Sequence, residues 1–500
     1  MRRGHRPRRQ QQVPWHRGGT HRPAVIDRAD RHRRRPAGPG RRRVRRARRG
    51  GPRRMKLVMI GGGGFRTPLV HSALLRDREP GRVTEVALVD VDADRLRTMA
   101  RILADQAEGV PDAPTVSVHT DVEDALPGAD FVFSAIRVAG MEGRATDERI
   151  GQSHGVIGQE TVGFGGISYA LRTLPTVMEL AHTVKRLAPD AWVINFTNPA
   201  GVVTEAMSTV LGERVIGICD SPIGLARRAL GTLGVQHGPD VELEYAGLNH
   251  LGWLTAVRVD GVDRLPEVLA DAGRIESFEE GKLFGAEWIQ ALGALPNEYL
   301  HYYSYRRDVL QADQYAPHTR ARYLVEQQDR FWAVAGACEH PYRAWQDSRN
   351  EREASYMATN RDSAGMGERD VEDMTSGGYE DVALALMRGI AYDQRARLIL
   401  NVRNRGALAG LDDDAVVEIP CIVDAAGAHP IPGARVPDFG LGTVTAVKYV
   451  ERQTIQAALH GDRAAALRAL AHHPLVDSVR VARALLEDAR SSFPHLSYLS

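Results

Sequence analysis

Cys219 precedes Asp220 at the end of an apolar run, Val-Ile-Gly-Ile-Cys-Asp (215–220), and His250 closes a second run ending Gly-Leu-Asn-His. A soft thiolate and an imidazole, each at a strand end, can hold a divalent ion while leaving positions open to substrate oxygens, as a catalytic metal requires. The plainer alternative is a small buried hydrophobe beside a hydrogen-bonded imidazole. Asp220 adds a carboxyl that could protonate a leaving oxygen, or could cap the helix that Pro222 opens.

These residues need elements that deliver them to one place, and the chain upstream supplies a pattern for it. Lys56-Leu-Val-Met-Ile60 reads as a buried parallel strand, followed by Gly61, Gly62, Gly63 and Gly64 and then a helix from about 66 to 76. Strand, glycine turn and helix together let backbone amides approach a pyrophosphate. The strict G-x-G-x-x-G spacing is broken, because Thr67 stands where its third glycine would. A second strand, 83–89, ends at Asp90, placed to take the ribose hydroxyls of NAD and to repel a 2′-phosphate. Further strands at 115–118, 131–136, 192–196 and 215–219 alternate with helical patterns at about 92–108, 168–187 and 200–211. This alternation predicts a Rossmann-like, doubly wound parallel sheet. Ligands of such sheets bind beyond the carboxyl ends of the strands, where Arg137, Asn198 and Cys219 would lie. Between Arg137 and Gly166 stand eight glycines, expected to form a folded active-site loop.

The formal net charge of +2 conceals a division. Residues 1–54 contain 21 Arg against 2 Asp, so the remainder carries a charge of −17. An Arg/Pro/Gly-rich stretch of this kind buries no core and is expected to be disordered. It reads as leader sequence translated ahead of a start at Met55, in preference to a nucleic-acid or anionic-surface tail. Three scattered cysteines argue against a disulfide framework and for a reducing cytoplasm. No apolar run is long enough to span a membrane. The expected division is an extension at 1–54, an NAD-binding domain at 55–250 and a mixed α/β substrate domain at 251–500.

Several stretches, in order, resemble glycoside hydrolase family 4, the NAD- and metal-dependent glycosidases, and more narrowly its 6-phosphoglucosidases. They are IGGGGFRTPLV (60–70), IRVAGMEGRATDERI (136–150), HGVIGQETVGFGG (154–166), INFTNPAGVVTEA (194–206), GICDSP (217–222), GLNHLGW (247–253), LPNEYLHYY (295–303) and NVRNRGALAGLDDDAVVEIPC (401–421). The resemblance implies a lactate/malate dehydrogenase-like architecture. It implies that Cys219 and His250 bind manganese or another divalent ion, and that Arg137 and Asn198 contact the sugar. Phe65 and Arg137 complete the expected NAD contacts of Gly61 to Gly64 and Asp90. A tyrosine base is implied within 299–303 and assigned to Tyr299, with Asp220 as candidate acid.

The implied reaction departs from the two-carboxylate route of ordinary glycosidases. NAD oxidises carbon 3 of a 6-phosphoglucoside, a base removes the proton at carbon 2, the aglycone leaves, water adds, and carbon 3 is reduced again. The expected partners are a phosphorylated disaccharide or glucoside and further copies of the chain, as a dimer or tetramer; nucleic acid and membrane are not expected. The motif set is closest to the beta-specific members, although Asp220 stands where they usually have Asn and the alpha-specific members have Asp. Three alternatives stay open: the alpha-specific enzyme, a lactate/malate-type 2-hydroxyacid dehydrogenase, and an NAD-sensing regulator that binds nucleic acid through the basic tail. Phosphate recognition is expected from basic residues of the second half, with Arg306 and Arg307 as candidates.

Overall fold

The computed structural model describes residues 54–315, 318–366, 369 and 378–500. The expectations for residues 1–53 therefore lie outside the described residues. Strand β1 (Met55–Ile60) is apolar on both faces, and its side chains alternate between two cores: Leu57 and Met59 enter one, Val58 and Ile60 the other. That two-sided burial is what a central parallel strand demands. It is met by β2 (Val83–Val89), β3 (Thr115–His119), β4 (Phe131–Ser134), β5 (Trp192–Asn195) and β6 (Val215–Gly217), which pair in parallel in the spatial order β3-β2-β1-β4-β5-β6. The alternation of elements predicted a doubly wound parallel sheet, and this order is that of a dinucleotide-binding one.

The sheet does not end at β6. The second half of the chain adds β7 (Val241–Leu248), β8 (Leu251–Val259), β9 (Val262–Asp263), β10 (Leu295–Pro296), β11 (Ala396–Arg403), β12 (Val416–Asp424) and β13 (Gly427–Pro430), making a sheet of 13 strands among the described residues. β11 joins β6 antiparallel at Asn401 opposite Gly217, and β12 joins β7 at Glu418 opposite Gly247. The expected division at residue 250 thus falls inside the β7–β8 hairpin, while the change from parallel to antiparallel pairing comes at β6–β11.

Helices cover both faces, and their caps follow from sequence. Asp92 opens the helix Ala93–Gln106 by accepting from the amides of Asp94 and Arg95, and the helix buries Leu96, Met99, Ile102 and Leu103 along one stripe. Such a cap contributes about 1 kcal/mol. The glycine-rich connection after Arg137 is more regular than expected, since it carries the helix Gly140–Ser153 before Gly163 opens the helix Gly163–Leu187. The intervening segment folds back tightly on the first helix: a Cβ at Gly158 would stand 2.5 Å from the Cα of Glu148. Among the described residues no helix is long and apolar enough to cross a membrane.

Candidate active site

At the carboxyl ends of the parallel strands lies one cavity of about 1850 Å³. Its wall includes Gly61, Gly63, Gly64, Phe65, Asp90, Arg137, Asn198, Cys219, Asp220, His250 and Tyr299. Gly62 lies just beneath it, buried, with its amide bonded to the Val89 carbonyl at 2.9 Å.

The glycine turn is pressed against neighbouring strand ends. Gly61 has φ +82°, and a Cβ there would meet the Ala135 carbonyl oxygen at 2.5 Å, so both conformation and space demand glycine. Asp90 fixes the turn from the end of β2: one carboxylate oxygen accepts from the Gly63 amide at 3.1 Å, the other from the Asp92 amide at 3.2 Å. Phe65 is only 8% exposed, because its ring packs against Phe331 and Trp345, at centroid distances of 5.2 and 5.9 Å. Trp345 also donates to the Phe65 carbonyl at 2.7 Å, so the second half of the chain braces the turn.

Arg137 follows β4 and is held rather than free, paired with Glu160 at 2.5 Å and lying 4.6 Å from the Tyr169 ring centroid. Arg144 grips the same Glu160 at 2.7 Å and Glu148 at 2.8 Å. Burial opposes a charge on Glu160, but the two guanidiniums prevail and hold its carboxyl well below the carboxylate range. Asn198 stands at the cavity wall beyond β5 and caps nothing. The N-cap of the helix Ala200–Leu211 is Pro199, with no side-chain bond, and the Ala200 amide is met instead by Asn249 at 3.1 Å. Asp220 occupies the N-cap position of the helix Ser221–Thr232 but likewise makes no capping bond, which leaves its carboxylate to the cavity.

Cys219 and His250 reach the cavity from opposite halves of the sheet, one beyond β6 and the other in the β7–β8 turn, where His250 has φ +63°. Burial lowers the His250 pKa to about 3, so the ring is neutral near pH 7. Its Nδ1 is buried without a hydrogen-bond partner among the described residues. An unpartnered neutral imidazole nitrogen is costly in a protein interior unless something binds it. The Cys219 thiol is pushed well up by burial and by the charges of Glu418 and Asp220. A divalent cation would reverse that balance, since coordination deprotonates a thiol. The donor set therefore fits a divalent ion of intermediate softness. Among the described residues no group of three or more His, Cys, Asp and Glu side chains converges on such a point, so two protein ligands would leave several positions open.

A buried network supports this pair from behind. Glu418 of β12 accepts from Asn249 at 3.1 Å, Asn401 at 2.8 Å and Tyr245 at 3.2 Å. Burial pushes its carboxyl up to about 7 in spite of these three donors. Asn249, which precedes His250, is thereby tied both to the sheet and to the start of the helix after Asn198.

Tyr299 stacks on the His250 ring at a centroid distance of 3.9 Å and an interplanar angle of 23°. Its hydroxyl lies 3.3 Å from that of Tyr356, which donates to Glu298 at 2.8 Å. Burial pushes the Tyr299 phenol well above its ordinary value, and the Glu298 charge adds to the effect.

Arg306 and Arg307 are absent from the cavity wall, and Arg306 pairs with Asp477 on the surface at 2.8 Å. The cavity's cations are instead Arg66, Arg144, Arg320, Arg349 and Arg352, among others. Among the described residues Arg320 and Arg352 have no ion-pair partner. Burial, reinforced by Arg144 for the first and Arg66 for the second, lowers their pKa values to about 10 and about 9.

The comparisons with known proteins identify the family. The model of the family 4 glycosyl hydrolases matches residues 56–235, and that of the family's C-terminal domain matches 245–476. The 6-phospho-alpha-glucosidase of Leptotrichia buccalis is 32% identical over 455 residues, covering 87% of this chain and 97% of the relative. The 6-phospho-beta-glucosidase BglT of Thermotoga maritima is 32% identical over 441 residues, again covering 87% of this chain and 97% of the relative. Among solved structures, the Thermotoga maritima 6-phospho-beta glucosidase with NAD and glucose-6-phosphate superposes with a TM-score of 0.76 at 29% identity, covering 88% of this chain and 98% of that one. A 6-phospho-alpha-glucosidase from gut microorganisms, in complex with NAD and Mn2+, gives 0.72 at 26% identity with the same coverage. With relatives of both anomeric specificities matched over nearly their full length, and with glycine turn, thiol, imidazole and tyrosine on one cavity, the chain belongs to glycosyl hydrolase family 4.

Proposed function

We propose that the protein is a cytoplasmic, homo-oligomeric 6-phosphoglucosidase, acting on beta-linked substrates and dependent on NAD and on manganese or a similar divalent ion. The observation that carries the reading is the meeting of Cys219, His250 and Tyr299 on the cavity that also contains the glycine turn. Bound NAD would supply reversible oxidation at carbon 3, and the divalent ion would stabilise the negative charge that develops when the carbon-2 proton leaves. Cys219 and His250 hold the ion. Tyr299, oriented by its stack on His250, takes the carbon-2 proton. Asp220 has no capping duty and is placed beside Cys219 to protonate the leaving oxygen. Arg137 and Asn198 line the sugar's position, while Gly61 to Gly64 and Asp90 receive the dinucleotide. Asp220 specifically favours a second reading, alpha specificity, because the alpha-specific enzymes carry Asp at this place.

The deciding assay uses paired alpha and beta 6-phosphoglucosides with NAD and manganese. Cleavage of the beta substrate is expected to require NAD without consuming it, and in deuterated water to place deuterium on carbon 2 of the released sugar phosphate. Cleavage without NAD and without carbon-2 exchange sinks the redox route; preference for the alpha substrate transfers the assignment to the second reading.

Arg320 and Arg352, two half-buried cations without an ion-pair partner among the described residues, are suited to the substrate's phosphate. Arg320→Ala is expected to raise KM for a phosphorylated substrate by roughly tenfold to a hundredfold, since a charged hydrogen bond is worth about 1.5–3 kcal/mol. Its effect on kcat should be much smaller. An unchanged KM would remove Arg320 from the phosphate site.

A further inference from the structure

Behind Tyr299 the structure holds a line of hydrogen-bonding groups that leads away from the cavity. The Tyr299 and Tyr356 hydroxyls are 3.3 Å apart, the Tyr356 hydroxyl donates to Glu298 Oε1 at 2.8 Å, and Ser221 donates to the same oxygen at 3.1 Å. Because Tyr356 gives its proton to Glu298, its oxygen is left to accept from Tyr299, which fixes the polarity of the line. We propose that Tyr356 and Glu298 act as a proton relay for Tyr299, with Glu298 as the terminal acceptor and both as positioning residues for proton removal at carbon 2. This inference rests on the function proposed above.

The chemistry closes on itself. The Tyr299 O–H proton passes to Tyr356 as the Tyr356 proton passes to Glu298, leaving a phenolate at Tyr299 and a neutral carboxylic acid at Glu298. The carbon-2 C–H bond breaks, its electron pair stays with the carbon, and the proton forms the new O–H bond of Tyr299. On the return, once the Tyr299 hydroxyl has exchanged its proton with solvent, Tyr299 gives a solvent-derived proton to carbon 2 and recovers one from Tyr356, which recovers one from Glu298. No oxidant, reductant or external base beyond the proposed reaction is required.

The surroundings of Glu298 suit an acceptor of this kind. It is 5% exposed, so a proton delivered there is not lost at once to solvent. Burial, with the neighbouring charges of Glu279 and Glu280, pushes its carboxyl up, against the pull of Arg228 and the bond from Tyr356. Arg228 pairs with Glu280 and Arg369 pairs with Glu279 at 2.9 Å, so the charge of each guanidinium is shared among several carboxylates of this cluster. Raised basicity brings the carboxylate closer to the phenols whose proton it must accept, which is how a relay is matched.

The test compares wild-type protein with Tyr356→Phe, Glu298→Gln, Glu298→Asp and the double variant Tyr356→Phe/Glu298→Gln. All are loaded with NAD and manganese, with melting temperature and NAD affinity checked first. Each of Tyr356→Phe and Glu298→Gln is expected to lower kcat by about tenfold or more while KM moves by less than about twofold. The kinetic isotope effect from deuterium at carbon 2 should rise, and that from deuterium at carbon 3 should not. The double variant should be no slower than the slower single one, because a broken relay cannot be broken twice. Glu298→Asp should recover part of the rate. Wild-type rates in both single variants, or losses that multiply in the double variant, would overturn the relay. If Tyr356→Phe does not fold, Glu298→Gln decides alone by the same isotope criterion. A wild-type enzyme without NAD-dependent carbon-2 exchange overturns the proposed function and the relay with it, whereas normal wild-type exchange with unaffected variants overturns the relay only.

Discussion

Cys219→Ser and His250→Ala are each expected to lower turnover by about a thousandfold or more. On the proposed assignment either change would remove one of two protein ligands from an ion whose electrostatic contribution is several kcal/mol, and each 1.36 kcal/mol is about tenfold in rate. Serine keeps the size of Cys219 but not the softness, so manganese titration followed by calorimetry should show weakened binding even at unchanged fold. His250→Ala removes in addition the ring on which Tyr299 stacks, and should therefore disturb the base as well as the ion. NAD binding should survive in both, because the glycine turn and Asp90 are held by β1, β2 and Trp345, not by the β7–β8 turn. Full activity of either variant without added metal would refute the assignment of these two residues.

Tyr299→Phe is the second large effect. It keeps the aromatic face against His250 and removes only the hydroxyl, so substrate binding and KM should change little. A positioned general base contributes about a hundredfold to ten-thousandfold, and kcat should fall within that range. Deuterium incorporation at carbon 2 should fall in step with turnover. Retention of exchange at the wild-type rate would move the base to another residue, with Tyr302 next in line, since it too lines the cavity.

The parts of this site legible in sequence are those carried by local pattern. A buried strand followed by four glycines, an acidic residue at the end of the next strand, and a thiol and an imidazole closing apolar runs are each readable within about ten residues. The doubly wound character of the parallel half follows from the same alternation. What was not legible arises from pairings between distant segments. Nothing in Ala396–Arg403 announces that it will insert beside β6, so the continuity of the sheet and the position of Glu418 beneath Asn249 appear only in three dimensions. Arg320 and Arg352 lie in helices rich in charge, where a residue facing the cavity has the same local composition as one facing water, which is why Arg306 and Arg307 looked equally eligible. Tyr356 sits in a turn between helices, and its partnership with Glu298 spans 58 residues. The packing of the Phe65 ring against Phe331 and Trp345 is a further long-range pairing that its place in the glycine motif does not announce.

The joining of the two halves of the sheet also sets an order of events during synthesis. When β6 leaves the ribosome its outer edge has no neighbour, and the strand that covers it, β11, follows roughly 180 residues later. At about 5–20 residues per second that interval is about 10–40 seconds. Throughout it the unpaired edge is only three residues long, Val215–Gly217, and so short an edge offers other chains little to pair with. The wait between the two halves should therefore add little to aggregation, even where translation is slow.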